Sequence, residues 1–173
     1  IAEEKMLQHR CLEGFHIKPV ADYLASRIPV LVNNDCHIVL SAPTESMTSY
    51  FYKNADADEM IFVHEGSGIL HTMYGDLPFG YGDYLVVPRG TIYQISFSTS
   101  VNRLFIVESF SPIRYPRQYI SKHGQLLEHA PFCERDIRPP SELKTHDQTG
   151  DFLIRTKKKG MMYGLHYAHH PFD

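Results

Sequence analysis

A chain of 173 residues with a net charge of −3 is long enough for one domain with a proper core, and it offers no basic footprint for nucleic acid and no cationic face for a membrane. No apolar run reaches the length of a bilayer span, and nothing at the start reads as a signal peptide. The three cysteines (Cys11, Cys36, Cys133) are widely spaced and form no CxxC, which favours reduced thiols in a cytoplasmic protein over a disulfide framework.

The elements follow in chain order. Residues 1–29 mix apolar and charged positions without a sustained period and read as an arm, with room for a short helix over 20–26 between Pro19 and Pro29. From Val30 the text becomes β-like, with strands expected at 30–32, 37–41, 48–53, 59–64, 68–74, 84–87, 91–97 and 103–109. Turn residues separate them, among them Asn33-Asn34-Asp35, Gly66-Ser67-Gly68, Gly75-Asp76, Gly82-Asp83 and Pro88-Arg89-Gly90. In the 91–97 strand Tyr93, Ile95 and Phe97 alternate with Gln94, Ser96 and Ser98, so one face is buried and the other wet. Met60-Ile61-Phe62-Val63 is apolar on both sides, as in a strand covered on both faces.

After Ser109 prolines accumulate and the strand pattern lapses, leaving only 119–128 as a candidate short helix. Segments 151–156 and 161–168 then form an expected hairpin with Lys157-Lys158-Lys159-Gly160 as a solvated turn. Many short strands with no long helix between them predict an all-β sandwich or barrel.

Two motifs narrow the architecture. Tyr52, Lys53, Asn54, Glu59 and Gly66 occupy the frame H-x-H-x4-E-x6-G, while Gly82, Pro88, Gly90, Tyr93 and Phe97 occupy G-x5-P-x-G-x2-H-x3-N. The turn residues and the glutamate are kept; the histidines and the asparagine are replaced. The pair of frames resembles the cupins, whose jelly-roll barrel, or double-stranded β-helix, holds a metal on those histidines. A side-chain period of two aims both positions of H-x-H into the barrel, so the vestigial metal positions Tyr52, Asn54, Glu59 and Tyr93 are expected to meet there. A phenol with a pKa near ~10 is protonated at neutral pH and ligates divalent ions poorly. The expectation is a metal-free interior with no cofactor, in which the hydroxyls of Tyr52 and Tyr93 and the Glu59 carboxylate hydrogen-bond to one another.

Eleven histidines make metal binding elsewhere worth testing. His166, His169 and His170 lack a third ligand at a recognisable spacing. His123, Glu128, His129, Cys133 and Glu134 form a denser cluster, but no rigid element holds them, and loop packing is the expected role. No GxSxG, GxGxxG, P-loop or paired CxxC occurs, so those chemistries have no support.

Three longer stretches make the resemblance specific: YKNADADEMIFVHEGSGILHTMYGDLPFGYGDYLVVPR from Tyr52, YISKHGQLLEHAPFCERDIR from Tyr119 and YAHHPFD from Tyr167. They resemble the amino-terminal half of the homogentisate 1,2-dioxygenase family in its bacterial form. The resemblance implies an Fe(II) enzyme that opens the ring of homogentisate, a small aromatic acid, with dioxygen to give maleylacetoacetate in tyrosine and phenylalanine catabolism. It further implies two cupin-like halves, with the iron ligands and the catalytic residues in the carboxy-terminal one, and a trimer-based homo-oligomer. None of the family's iron ligands maps onto a position of this sequence.

The chain is therefore expected to be an excerpt in three parts. These are an arm over 1–29, a degenerate cupin over 30–110, and a Pro-rich extension with a hairpin over 111–173 that leads to the second, metal-binding half. A stand-alone metal-free cupin serving as a binding or dimerisation module is the alternative. A metal-dependent cupin enzyme of other specificity is disfavoured by the lost histidines.

Overall fold

The structure, a computed structural model, describes residues 9–173. The first eight residues of the expected arm lie outside that range. The strands are β1 (Ile28–Val32), β2 (Cys36–Ser41), β3 (Phe51–Asn54), β4 (Asp58–Glu65), β5 (Gly68–Thr72) and β6 (Gly75–Phe79). They continue with β7 (Tyr84–Val87), β8 (Ile92–Phe97), β9 (Arg103–Ser109), β10 (Thr149–Lys158) and β11 (Met161–His169). Helical structure is limited to single 3-10 turns at Gly14–His16, Arg117–Tyr119 and Glu134–Asp136. No helix among the described residues is long and apolar enough to cross a membrane.

The strands form a five-stranded sheet ordered β1-β2-β9-β4-β7 and a six-stranded sheet ordered β11-β10-β3-β8-β5-β6. Between β2 and β9 the chain repeatedly changes sheet, as in a jelly roll. The two sheets keep separate edges and do not close into a continuous barrel. Period-two burial explains the pairing of faces: in β4 and β9, Ile61, Val63, Leu104 and Ile106 point inward to meet Leu70 and Ile95 of the other sheet. Alternate residues fall outward, and Phe15 of the arm lies over part of that outer side, its ring 4.7 Å from His64.

A second, smaller apolar cluster sits on the outside of the six-stranded sheet. Phe51, Ile92 and Ile154 are covered there by Phe152, Tyr167 and Phe172, so the chain's last residues fold back as a lid. β10 reaches this sheet by pairing parallel to β3, with Ile154 beside Phe51. The hairpin turn is tighter than the four-residue loop expected, since the strands run to Lys158 and restart at Met161. Lys159 and Gly160 both take positive φ (52° and 71°), and their N–H groups bond to Asp56.

Three local expectations are corrected. Residues 21–26 form a bend held by Ser26 N–H to the Asp22 carbonyl, and no helix forms because the segment is spent reaching the sheet edge. Residues 119–128 form a turn closed by the Ile120–Leu126 bridge, with Gly124 at φ 86°. β6 contains Pro78, which hid it as a strand; it survives because β6 is an edge whose outer side needs no donor. The motif glycines have a direct cause. At Gly66 (φ 104°) an added Cβ would stand 2.2 Å from Asn102 Oδ1, and Gly90 (φ 88°) donates to the Asn54 carbonyl at 2.8 Å.

Candidate functional site

The site lies between the sheets and is organised by a residue of the arm. The bend over 21–26 is fastened to β2 by contact between the Ser26 and Ser41 hydroxyls (2.6 Å) and by Val20 N–H to the Ala42 carbonyl (3.0 Å). That anchorage turns Tyr23 and Arg27 inward. Arg27 Nη1 donates to Glu59 Oε1 at 2.7 Å and to Tyr23 Oη at 3.0 Å, while Nη2 donates to Glu108 Oε1 at 2.6 Å. The guanidinium carbon is 5.1 Å from the centre of the Tyr23 ring and 5.8 Å from that of Tyr52.

Register explains why a cation is needed there. Glu59 on β4 and Glu108 on β9 are direct cross-strand partners, and both are buried, at 0 % and 1 % exposure. Two carboxylates facing each other in a low-dielectric interior repel strongly unless bridged. Arg27 bridges them, and Lys157 Nζ adds a second positive charge at 2.6 Å from Glu108 Oε2. His37 Nδ1 lies 3.4 Å from the same oxygen. Asn54 Nδ2 donates to both carboxylates (3.2 and 3.0 Å), and its Oδ1 accepts from the N–H groups of Asp56 and Ala57, which fixes the β3–β4 turn. Tyr93 Oη donates to Glu59 Oε2 at 2.5 Å.

Charge states follow from these contacts. Burial alone would raise Glu108, but Arg27 and then Lys157 outweigh it and hold the carboxyl below its usual range. Burial works against the charge on Arg27, and Tyr23 and Glu59 more than offset it. Burial, with the Glu59 charge adding to it, pushes the phenols of Tyr52 and Tyr93 far above their ordinary value; burial does the same at Tyr23. The three tyrosines are therefore neutral. The residues present do not fit a divalent ion, because one placed between Glu59 and Glu108 would stand against the guanidinium and find neutral phenols where imidazoles are needed.

The structure brings Tyr52, Asn54, Glu59 and Tyr93 together as the frame predicts. Tyr52 and Tyr93 are cross-strand partners with rings 5.4 Å apart at 82°. The Tyr93–Glu59 hydrogen bond is present, whereas Tyr52 contributes ring packing and a face for Arg27. Arg27, Glu108, Tyr23 and Lys157 went unrecognised in the sequence. Glu108 had a signal: it follows Leu104 and Ile106 on the inward face of β9, where an acid is out of place. Arg27 had none, since its position depends on a tertiary anchor.

The histidine candidates lie apart from this site. His166 Nδ1 pairs with Asp151 at 2.6 Å on the surface. His170 stacks on His146, centroids 4.2 Å apart, and burial followed by the neighbouring His146 lowers its pKa. His123, Glu128, His129, Cys133 and Glu134 sit on turns, and Cys133 N–H is capped by Asp136 Oδ2. Among the described residues no group of three or more His, Cys, Asp or Glu is placed to hold a metal.

The family model described as homogentisate 1,2-dioxygenase N-terminal matches residues 21–173. The chain belongs to this homogentisate 1,2-dioxygenase N-terminal family. A protein of Saccharolobus solfataricus with a provisional dioxygenase name is 34 % identical over 166 residues, 96 % of this chain. The chain spans 42 % of that relative's length. Among solved structures, a cupin superfamily protein from Desulfitobacterium hafniense aligns at 14 % identity and TM-score 0.49, over 60 % of this chain and 94 % of that one. A cupin-2 domain protein from Shewanella frigidimarina aligns at 20 % and 0.42, over 49 % of this chain and 79 % of that one. Family membership rests on the first match.

Proposed function

We propose that this chain is the amino-terminal, metal-free half of an Fe(II)-dependent dioxygenase that opens the ring of homogentisate, with the iron held by a carboxy-terminal cupin half. The observation that carries the metal-free assignment is Arg27, whose guanidinium bridges Glu59 and Glu108 where a cupin cation would lie. Family membership over residues 21–173 supports the dioxygenase, and the relative's greater length supports a second half. In this reading Tyr23 and Arg27 of the arm plug the degenerate cupin over 30–110, and the extension over 111–173 leads to the catalytic half. The chemistry iron supplies when bound is activation of dioxygen beside a coordinated phenol. The residues of this chain brace the catalytic half, keep their own cavity dry and closed to cations, and serve a cytoplasmic trimer-based oligomer.

The test is ring cleavage by the full-length protein on homogentisate, with and without added ferrous ion, beside iron analysis of residues 1–173 alone. Ferrous-dependent cleavage with negligible iron in the isolated half is the expected result. Stoichiometric iron in the isolated half, or no cleavage by the iron-loaded full-length protein, would defeat the reading. A reading frame ending near Asp173 would support the stand-alone module instead.

A further inference from the structure

The last four residues close on themselves and on the outer cluster. His170, Pro171, Phe172 and Asp173 make a tight turn, in which Asp173 N–H donates to the His170 carbonyl at 3.0 Å. Proline at the second position fixes φ where such a turn needs it. His170 N–H donates to the Gln148 carbonyl at 2.9 Å, which ties the turn back to the segment before β10. Phe172 stands edge-on to Phe51, 5.1 Å between ring centres, and completes the cover over the outer cluster.

His170 holds this lid through groups that only its neutral form offers. Its Nδ1 accepts the Phe172 N–H at 3.2 Å, so that nitrogen carries no proton and the ring is the Nε2–H tautomer. One face of the ring lies on His146, with centroids 4.2 Å apart and planes within 11°. Phe51, Phe152 and Phe172 meet the same ring edge-on at 5.1, 5.2 and 5.1 Å. A proton at Nδ1 would set a donor against a donor and press a cation on a second imidazole. Among the described residues the charged groups acting on His170 oppose each other, His146 disfavouring its cation and Asp173 favouring it. β3 and β10 turn phenyl rings to it, and His169 of β11 is exposed beside Tyr167, ring centres 5.5 Å apart. Burial and then His146 lower the His170 pKa.

We propose that His170 is a proton-operated latch, which when neutral holds residues 170–173 over Phe51 and when protonated lets them go. Linkage gives the direction. The closed lid binds the proton more weakly than the open one. The latch is therefore complete above the ordinary value of 6.5 and weakens as pH falls from there toward the lower value of the closed state. Release strips Phe172 from Phe51 and so converts one proton into exposed apolar surface on the outside of the six-stranded sheet. The inner carboxylate Glu108 answers only in a more acid range, below 4.5. The latch does not depend on the ring-cleavage reading.

Amide hydrogen exchange of the full-length protein, read by mass spectrometry and corrected for the intrinsic pH dependence of exchange, tests it. Opening of residues 170–173 is expected to rise by up to about tenfold per pH unit below 6.5, while β3 and β8 keep their protection. Exchange of the His170 ring Cε1–H, separated by fragmentation from that of His169, should titrate below 6.5. His170→Asn keeps a side-chain acceptor two residues before Phe172, as in an Asx turn, and has no proton to take. Its lid should stay closed at neutral and at acid pH alike. Wild-type protection of residues 170–173 that ignores pH, a His170 ring that titrates at or above 6.5, or a His170→Asn protein that keeps the wild-type acid response would each overturn the proposal.

Discussion

The two faces of the six-stranded sheet are stabilised by different physics. Toward the other sheet, Tyr52, Asn54 and Tyr93 surround two buried carboxylates whose charge is balanced by Arg27 and Lys157. Toward the outside, Phe51, Ile92 and Ile154 pack under Phe152, Tyr167 and Phe172 with no buried charge among them. The inner face is specific and brittle, since every group depends on a partner of opposite character. The outer face depends on area and shape. The two should therefore respond differently to truncation and to pH.

The largest effect is expected at Arg27. Arg27→Ala leaves Glu59 and Glu108 opposed without their bridge, and removing one partner of a buried pair costs about 3–5 kcal/mol. Urea unfolding measures it, and a cost below about 1 kcal/mol would mean that the bridge is dispensable. A quadruple variant with Arg27→Met, Lys157→Met, Glu59→Gln and Glu108→Gln should recover much of that loss, because it removes the buried carboxylates together with both cations that balance them.

Next comes the outer cluster. Ile154→Ala removes a fully buried side chain and should cost about 2–5 kcal/mol at pH 7, measured by urea unfolding. A cost below about 1 kcal/mol would show that the outer cluster contributes little to stability.

Tyr93→Phe should cost less, about 1–3 kcal/mol, by leaving Glu59 Oε2 without its donor. The smallest effect is in the pH profile. Glu108 has its folded pKa held below the ordinary value of 4.5, so its contribution is complete above that value and is lost as pH falls through the lower folded pKa. Asp56, held low by the N–H groups of Gly160 and Lys159 against the opposing effect of burial, acts in the same direction. Melting of Glu108→Gln should therefore be flatter than wild type below about pH 4.5 and should run parallel to it near neutrality. Equal acid slopes for the two proteins would remove Glu108 from the account.

Much of this was legible in residue order. The spacing of Gly66, Gly82, Pro88 and Gly90 gave the turns, because positive φ and proline geometry leave few alternatives. Alternation gave the inward side of β8 and placed Tyr93 in the cavity. The resemblance to the cupin frame singled out Tyr52, Asn54 and Glu59, and period two put the first two on one face. β6 was hidden because Pro78 reads as a break unless it is known to lie at an edge. Arg27 was hidden for a deeper reason: its role is set by the Ser26–Ser41 contact and by the Glu59–Glu108 register, which link residues far apart in the chain. Lys157 was misjudged because three adjacent lysines look like one solvated loop, although strand geometry sends one of them inward.

The most direct measurement is a crystal structure of this chain grown with manganous ion, recorded with anomalous scattering. The account predicts guanidinium density between Glu59 and Glu108 with no anomalous peak there. A peak ligated by Glu59, with Arg27 displaced from the cavity, would contradict it.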